Sequence, residues 1–175
     1  MRRVASTPFN PFIHQLLSGT DQNGRGGVAV APFYEWGGLN PDVSYAFVEY
    51  RPSWDLPIHQ LLVANHVTAV FHGHDHLLVK QELDGVIYQE VPQPSAARPN
   101  NTNSAIEYNY LTGDVLGSPG HIRVTVSPTE VTVEYIRSYL PEGEKPGQQN
   151  GQVDYQYVIL LYPFHRFDAK IDVQQ

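Results

Sequence analysis

Short apolar runs separated by turn residues dominate the chain and predict a structure built mainly from strands. Residues 67–71 are apolar or β-branched throughout, which is typical of a buried strand. Residues 77–83 and 86–91 are further strand-like segments on either side of Asp84-Gly85. Because Asp-Gly is favoured in a type I′ turn, these two segments predict a β-hairpin.

A second hairpin is predicted further along the chain, where 122–126 and 131–136 alternate between apolar and polar residues. Alternation of this kind places one face of each strand in the core. Short strands are also expected at 12–17 and 155–162. Strands are therefore expected to be the main regular elements of the chain.

One helix is predicted just before the apolar run. Pro57 suits the first position of a helix, and Ile58, Leu61 and Leu62 then fall on one helical face before a stop near Asn65. Stretches rich in Gly, Pro and polar residues lack periodicity and are expected to be loops or connectors: 20–56, 92–120 and 141–152.

Length and patterning together predict one α+β domain, mostly strands and hairpins with one or two helices. A chain of 175 residues can bury roughly 70% of its unfolded surface in a single core. We expect residues 1–11 to be an irregular lead-in, 12–140 to form the main part of the domain, and 141–175 to hold a connector, the last strand and a tail.

Composition and charge argue against several functions. The net charge is -7 and the few Lys and Arg residues are scattered, so we expect no nucleic-acid partner. The absence of cysteine excludes disulfides and thiolate metal sites. No apolar run approaches membrane-spanning length, and Arg2 and Arg3 are not followed by the apolar core of a secretory signal. We therefore expect no membrane partner, and the localisation stays open.

Three histidines directly behind the apolar run carry the main chemical signal. In an extended segment alternate side chains share a face, so His72, His74 and His76 are expected to point the same way. Neutral imidazoles that converge on one point can bind a transition metal. This pattern predicts a metal site at the carboxyl end of a strand, where ligands commonly bind in open α/β sheets.

The segment 73–76, Gly-His-Asp-His after an apolar strand, resembles the last signature of the calcineurin-like metallophosphoesterases, the family that includes purple acid phosphatases and many secreted phosphodiesterases. Residues 80–95 resemble the hairpin that follows this signature in a bacterial branch of the family, and 12–15 resemble the strand and histidine that precede it. The resemblance implies that the chain is the C-terminal half of an αββα sandwich, with 12–140 as the C-terminal part of the metallophosphoesterase domain.

Enzymes of this family hydrolyse phosphomono- or diesters with a hydroxide activated by two divalent metal ions, such as Mn, Fe or Zn. The resemblance implies that His14 and His74 ligate one ion and that His76 ligates the other. Asp75 takes the variable position between the histidines and is not expected to ligate. His72 precedes the signature and is expected either to orient a ligand or to be exposed. No residue of this chain is assigned a catalytic role.

Arg25 and Trp36 are candidates for contact with a phosphoester substrate, because the segment between His14 and His74 would lie over the site. An arginine can bind a phosphate through two hydrogen bonds, and a tryptophan can form an apolar wall. The alternative is that Trp36 packs its own loop against the domain and that Arg25 is a solvated turn residue.

The family's earlier signatures, Asp-x-His, Gly-Asp-x-x-Asp and Gly-Asn-His followed by an acid, are missing from the sequence. The remaining histidines would belong to two different ions, so partial metal occupancy and weak turnover are expected from this chain alone. The partners expected are therefore a missing N-terminal half or a second copy of the chain, because half a sandwich leaves apolar faces and strand edges uncovered.

Two other functions remain open on the sequence. A cupin-like barrel would use His74, His76 and Glu82 to hold a single iron or manganese ion. The chain could instead be a non-catalytic remnant or a binding module that keeps only part of the fold.

Overall fold

A computed structural model describes residues 11–14 and 24–161, which form a mixed α+β structure of two sheets and short helices, as predicted. The longest helix has seven residues, and no helix in these ranges is long and apolar enough to cross a membrane. The elements are β1 Phe12–Ile13, α1 Tyr34–Gly37, α2 Phe47–Tyr50, α3 Ile58–Ala64, β2 Ala69–His72, β3 Leu77–Leu83, β4 Val86–Glu90, α4 Ser104–Glu107, β5 Asp114–Gly117, β6 Gly120–Val126, β7 Glu130–Arg137, a 3₁₀ turn Pro141–Gly143, and β8 Val153–Leu160.

The first sheet has five strands in the order β1-β2-β4-β3-β5. Its first three strands run parallel, with Ile13 beside His72 and His72 beside Glu90. The strands β3 and β5 complete the sheet in antiparallel pairings. Because the carboxyl ends of β1, β2 and β4 meet at one edge, residues that follow these strands are brought together there.

The second sheet is antiparallel, with the order β6-β7-β8, and packs against one face of the first. Every second side chain along a strand faces the other sheet, and these side chains form the contact. Ala69 and Phe71 of β2 share a buried cluster with Ile87 of β4 and with Val131 and Val133 of β7. This layer is the core between the two sheets.

The other face of the first sheet is covered by α3 and the loops before it. Val70 and Tyr88 lie side by side in neighbouring strands and pack against Trp36 in a second buried cluster. Ile58 and Leu62 of α3 pack on the same cluster, which confirms the predicted apolar face of that helix. The histidine loop that follows β2 is thus carried by a strand buried on both faces.

Both predicted hairpins are confirmed, at β3–β4 and β6–β7. Asp84 and Gly85 at the first turn have φ angles of 50° and 78°, the positive values that a type I′ turn requires. The predicted helix is confirmed at Ile58–Ala64, followed by Asn65, although Pro57 precedes its first residue.

Several predicted loops contain regular structure. The stretch 20–56 includes the single-turn helices α1 and α2, and 92–120 includes α4 and β5. These elements are too short to show periodicity in the sequence, and β5 depends on its partner strand β3. The last strand is Val153–Leu160, two residues earlier than expected. Of the strand predicted at 12–17, β1 covers Phe12–Ile13 and positions 15–17 lie outside the described residues.

Candidate functional site

His14 and His74 come together at the carboxyl edge of the first sheet. His14 directly follows β1, and His74 lies two residues beyond the end of β2. The Gly73 N–H donates to the His14 carbonyl oxygen at 2.8 Å, which continues the strand pairing into the loop. The two imidazole centroids are 5.4 Å apart and the rings are nearly perpendicular, at 77°. The parallel pairing of β1 with β2 therefore produces a two-histidine cluster.

The three histidines 72, 74 and 76 do not share one face, contrary to the expectation from strand alternation. The strand ends at His72, and the chain then bends, with φ angles of 103° at His74 and 60° at His76. Side-chain alternation holds only while the backbone is extended. As a result His72 is buried, His74 is half-buried and His76 is exposed.

His72 contacts a buried carboxylate. Its Nδ1 atom lies 2.7 Å from Oε2 of Glu90, which is its register partner in β4. The two side chains are 2% and 0% exposed. Nε2 of His72 is buried and has no hydrogen-bond partner among the described residues. The expectation that His72 could be exposed is wrong, because it lies inside β2 rather than after it.

Asp75 connects the histidine loop to neighbouring parts of the fold through hydrogen bonds. Its backbone N–H donates to Oε1 of Glu90 at 2.9 Å, while its carboxylate Oδ2 accepts from the Gly26 N–H and from the Tyr110 hydroxyl, both at 2.8 Å. Asp75 is 5% exposed. Its side chain thus holds the loop in place through these hydrogen bonds.

Burial dominates the electrostatics of this network. Loss of water around its carboxyl group raises the pKa of Glu90, although the nearby His72 imidazole acts in the opposite direction. Burial and then the charges of Glu90 and Asp75 raise the pKa of Tyr110, so its hydroxyl remains protonated and able to donate. The network therefore combines a buried carboxyl of high pKa with a phenol donor.

Arg25 lies beside Asp75, not in open solvent. Its Nε is 3.9 Å from the Asp75 Oδ1, and its guanidinium carbon is 4.3 Å from the centre of the Tyr108 ring. The side chain is 38% exposed. The phosphate contact expected of Arg25 stays a prediction. The charge of Arg25 offsets that of the buried Asp75 carboxylate.

Trp36 has the packing role that was the alternative to a substrate wall. It is 2% exposed and its ring lies 5.7 Å from that of Tyr88 in the core. A side chain so completely covered offers no surface to a substrate. Its position in α1 was not predicted, since the surrounding stretch was expected to be irregular.

Within residues 11–14 and 24–161, no group of three His, Cys, Asp or Glu side chains is close enough to hold a metal ion. The described residues thus bring together the two proposed ligands of one ion, His14 and His74, and do not add His76 to them. Two adjacent imidazoles fit part of the donor set of a divalent transition metal, which usually needs a third or fourth ligand.

The cupin-like ligand set is wrong for this fold. His76 immediately precedes β3, whereas Glu82 lies near the other end of that extended strand, beside the hairpin turn. Glu82 pairs with Ile87, on the face of the sheet that packs against the second sheet. The parallel strands β1, β2 and β4 are also unlike an antiparallel barrel.

Comparisons with known proteins leave the family open. No family model matches the chain, and no curated protein does. Among solved structures it is similar to "GAP50 the anchor in the inner membrane complex of Plasmodium", at 13% sequence identity and a TM-score of 0.46. The match covers 70% of this chain and 32% of that one, so the chain spans about a third of the length of that structure. The metallophosphoesterase resemblance stays a prediction.

Glu90 and Tyr110 are the site residues that sequence reasoning missed. Glu90 occurs in β4 at a position where alternation with Val86 and Tyr88 puts its side chain on a buried face. An acidic residue at a core-facing position is a usable signal, because a buried carboxyl needs partners. Tyr110 lies in the loop between α4 and β5 and gave no such signal.

Proposed function

We propose that the chain supplies the His14–His74 part of the metal site of a phosphoesterase that hydrolyses phosphomono- or diesters. The observation that carries this proposal is the pair of imidazoles, 5.4 Å apart, at the carboxyl edge of two parallel strands. The Gly-His-Asp-His segment supports it by resemblance. A bound divalent ion would polarise a phosphoryl oxygen and lower the pKa of a coordinated water.

The chain's own contribution is to hold and orient ligands. Parallel pairing fixes His14 beside the histidine loop, and the Asp75–Glu90 contact fixes the base of that loop. His76 lies exposed beyond the pair and is free to bind a second ion. The remaining carboxylate and amide ligands would come from another polypeptide or from a part of the protein outside this sequence.

A non-catalytic binding module is the second candidate. It is favoured by the lack of a third ligand beside His14 and His74 among the residues that the structure describes. Such a module would bind metal weakly through these two histidines and would gain no activity from added carboxylates. The two candidates therefore differ in their response to complementation.

The test is calorimetric titration of the purified chain with Mn²⁺ and Zn²⁺. We expect the His14→Ala and His74→Ala variants each to lose about ten-fold or more in affinity, because one of two ligands is removed. His121→Ala is the matched control, since His121 is exposed on β6 of the second sheet. Equal binding by all variants would contradict the proposed site.

The second arm tests catalysis. An N-terminal polypeptide that carries the missing family signatures is added to the chain, and hydrolysis of an aryl phosphate is followed with and without metal. Metal-dependent turnover that needs both polypeptides and is lost in His74→Ala supports the phosphoesterase. Metal binding by both polypeptides without any turnover would support the binding module instead.

A further inference from the structure

A polar cavity of about 300 Å³ lies directly beside His76, on the side of the histidine loop formed by residues 93–108. We call it the Arg98 cavity. The polar residues that line it include His76, Gln93, Arg98, Asn101, Ser104 and Tyr108. It shares His76 with the proposed metal site, and neither His14 nor His74 is among its lining residues.

The wall of the cavity is built around the backbone of His76. The hydroxyl of Ser118 donates to the His76 carbonyl oxygen at 2.7 Å and accepts from the Gln93 N–H at 3.1 Å. Ser118 is 3% exposed. This buried connection holds the cavity wall and the end of the histidine loop as one unit.

The cavity offers hydrogen-bond donors and a positive charge. Arg98 is exposed, and no carboxylate within the described ranges forms an ion pair with it. Asn101 and Ser104, both half-buried, supply an amide and a hydroxyl. A guanidinium with neighbouring neutral donors is a typical arrangement for a phosphate or carboxylate group.

The one carboxylate in the wall does not reverse this charge. Asp75 has a side chain that is 1% exposed and accepts two hydrogen bonds at Oδ2. Arg25 lies 3.9 Å from its other oxygen and stacks on Tyr108, which itself lines the cavity. Arg98 therefore supplies the exposed charge of the lining, on a protein whose net charge is -7.

We propose that the Arg98 cavity binds a phosphate group, namely the non-reacting anionic end of a small phosphoester that carries two charged groups. This assignment of a substrate class rests on the proposed function. The cavity is at the small end of ligand sites, which commonly measure about 300 to 1,000 Å³, so a compact ligand fits it better than a polymer. Its position beside His76 would place the second charged group at the histidine loop.

The test measures binding of inorganic phosphate to the metal-free chain at about pH 8, where ordinary imidazoles are neutral. Amide chemical shifts of residues 93–108 report the site. We expect saturable shifts there, and about ten-fold weaker binding in Arg98→Gln, because a charge-assisted contact is lost. Ser104→Ala should weaken binding by a smaller factor.

Arg123→Gln is the matched control, because Arg123 is an exposed arginine on β6 whose partner is Glu134. It should bind phosphate as the wild type does. Equal weakening in Arg98→Gln and Arg123→Gln, or shifts spread over the whole surface, would overturn the site. Acetate that binds as tightly as phosphate would overturn the phosphate assignment.

The outcome is independent of metal binding. Phosphate binding with no metal affinity would leave the cavity standing and remove the proposed phosphoesterase. Metal binding without phosphate binding to the cavity would leave the proposed phosphoesterase standing and overturn the assignment of the cavity. The two proposals can therefore fail separately.

Discussion

The backbone N–H of Asp75 donates to Oε1 of Glu90 at 2.9 Å, and this single bond joins the histidine loop to the neighbouring strand β4. Glu90 is fully buried and also lies 2.7 Å from His72. The conformation of the loop after β2 therefore depends on a side chain from a different strand. The effect of these contacts on the stability of the protein can be measured without any metal or substrate.

Removal of Glu90 should destabilise the fold strongly. In Glu90→Ala the Asp75 N–H and the His72 imidazole lose a buried partner, and we expect the free energy of unfolding to fall by about 3 kcal/mol. Urea denaturation followed by circular dichroism measures this change. Glu82→Ala is the control, since Glu82 is exposed on the adjacent strand. Similar losses of stability in both variants would show that the buried contacts of Glu90 do not stabilise the fold.

The stability of the protein should depend on pH through Glu90. Because burial raises its pKa in the folded state, its contribution is fully present below the unfolded pKa, ordinarily 4.5, and is lost as the pH rises through the folded value. Relative to Glu90→Gln, the wild type should therefore become less stable as the pH rises from about 4 to about 8. Urea unfolding of both proteins over this range measures the difference. A difference that is constant or grows with pH would contradict the assignment.

The Tyr110 hydroxyl should be needed for the stability of the loop. Tyr110→Phe removes a donor to the buried Asp75 carboxylate and should cost about 1 to 3 kcal/mol. Thermal unfolding provides the comparison. The same change at Tyr45, whose side chain is 56% exposed, should have little effect. If the two tyrosines give equal shifts in melting temperature, the hydrogen bond of Tyr110 contributes nothing net.

Arg137 should be important where the two sheets meet. It lies in β7 and donates to the Gly117 carbonyl oxygen of β5 in the first sheet, to the Tyr135 hydroxyl, and to Asp154 of β8. Arg137→Ala removes a buried donor from the Gly117 carbonyl oxygen and the ion pair with Asp154, and we expect a loss of about 3 kcal/mol in urea unfolding. Arg123→Ala on the same sheet breaks only an exposed pair with Glu134 and should be nearly neutral. A larger loss of stability in Arg123→Ala than in Arg137→Ala would contradict this role.

The turn between β3 and β4 offers a test of backbone conformation alone. A Cβ at Gly85 would meet no atom within 4 Å, but the residue has a φ angle of +78°. Gly85→Ala should therefore destabilise by about 1 kcal/mol, through strain and without a clash. Gly143 is equally open and lacks a positive φ, so Gly143→Ala should be neutral or slightly stabilising. Equal effects would mean that the turn is not restrained to its type I′ geometry.

The parts of the fold that the sequence predicts are those specified by local residues. The Asp84-Gly85 turn and the apolar face of α3 each depend on a few adjacent positions, and both are confirmed. Short elements such as β5 depend on a partner strand that is remote in sequence, so no local pattern marks them. The β1–β2 pairing likewise could not be derived from either segment alone.

The candidate site could likewise be predicted only in part. The proximity of His14 and His74 followed from a family resemblance, since neither residue predicts the other. The common face expected for His72, His74 and His76 was wrong, because positive φ angles after Gly73 end the alternation. The part played by Glu90 emerges only once β2 and β4 are neighbours.

The parallel pairing of β1 with β2 also sets an order of events in folding. The hairpins β3–β4 and β6–β7 join neighbouring segments and can form early, whereas β1 reaches β2 only after the chain containing α1, α2 and α3 has closed into a loop. Closing a long loop costs entropy before its contacts repay it. His14 and His74 should therefore meet late, and the proposed metal site would be complete only in molecules that have finished folding.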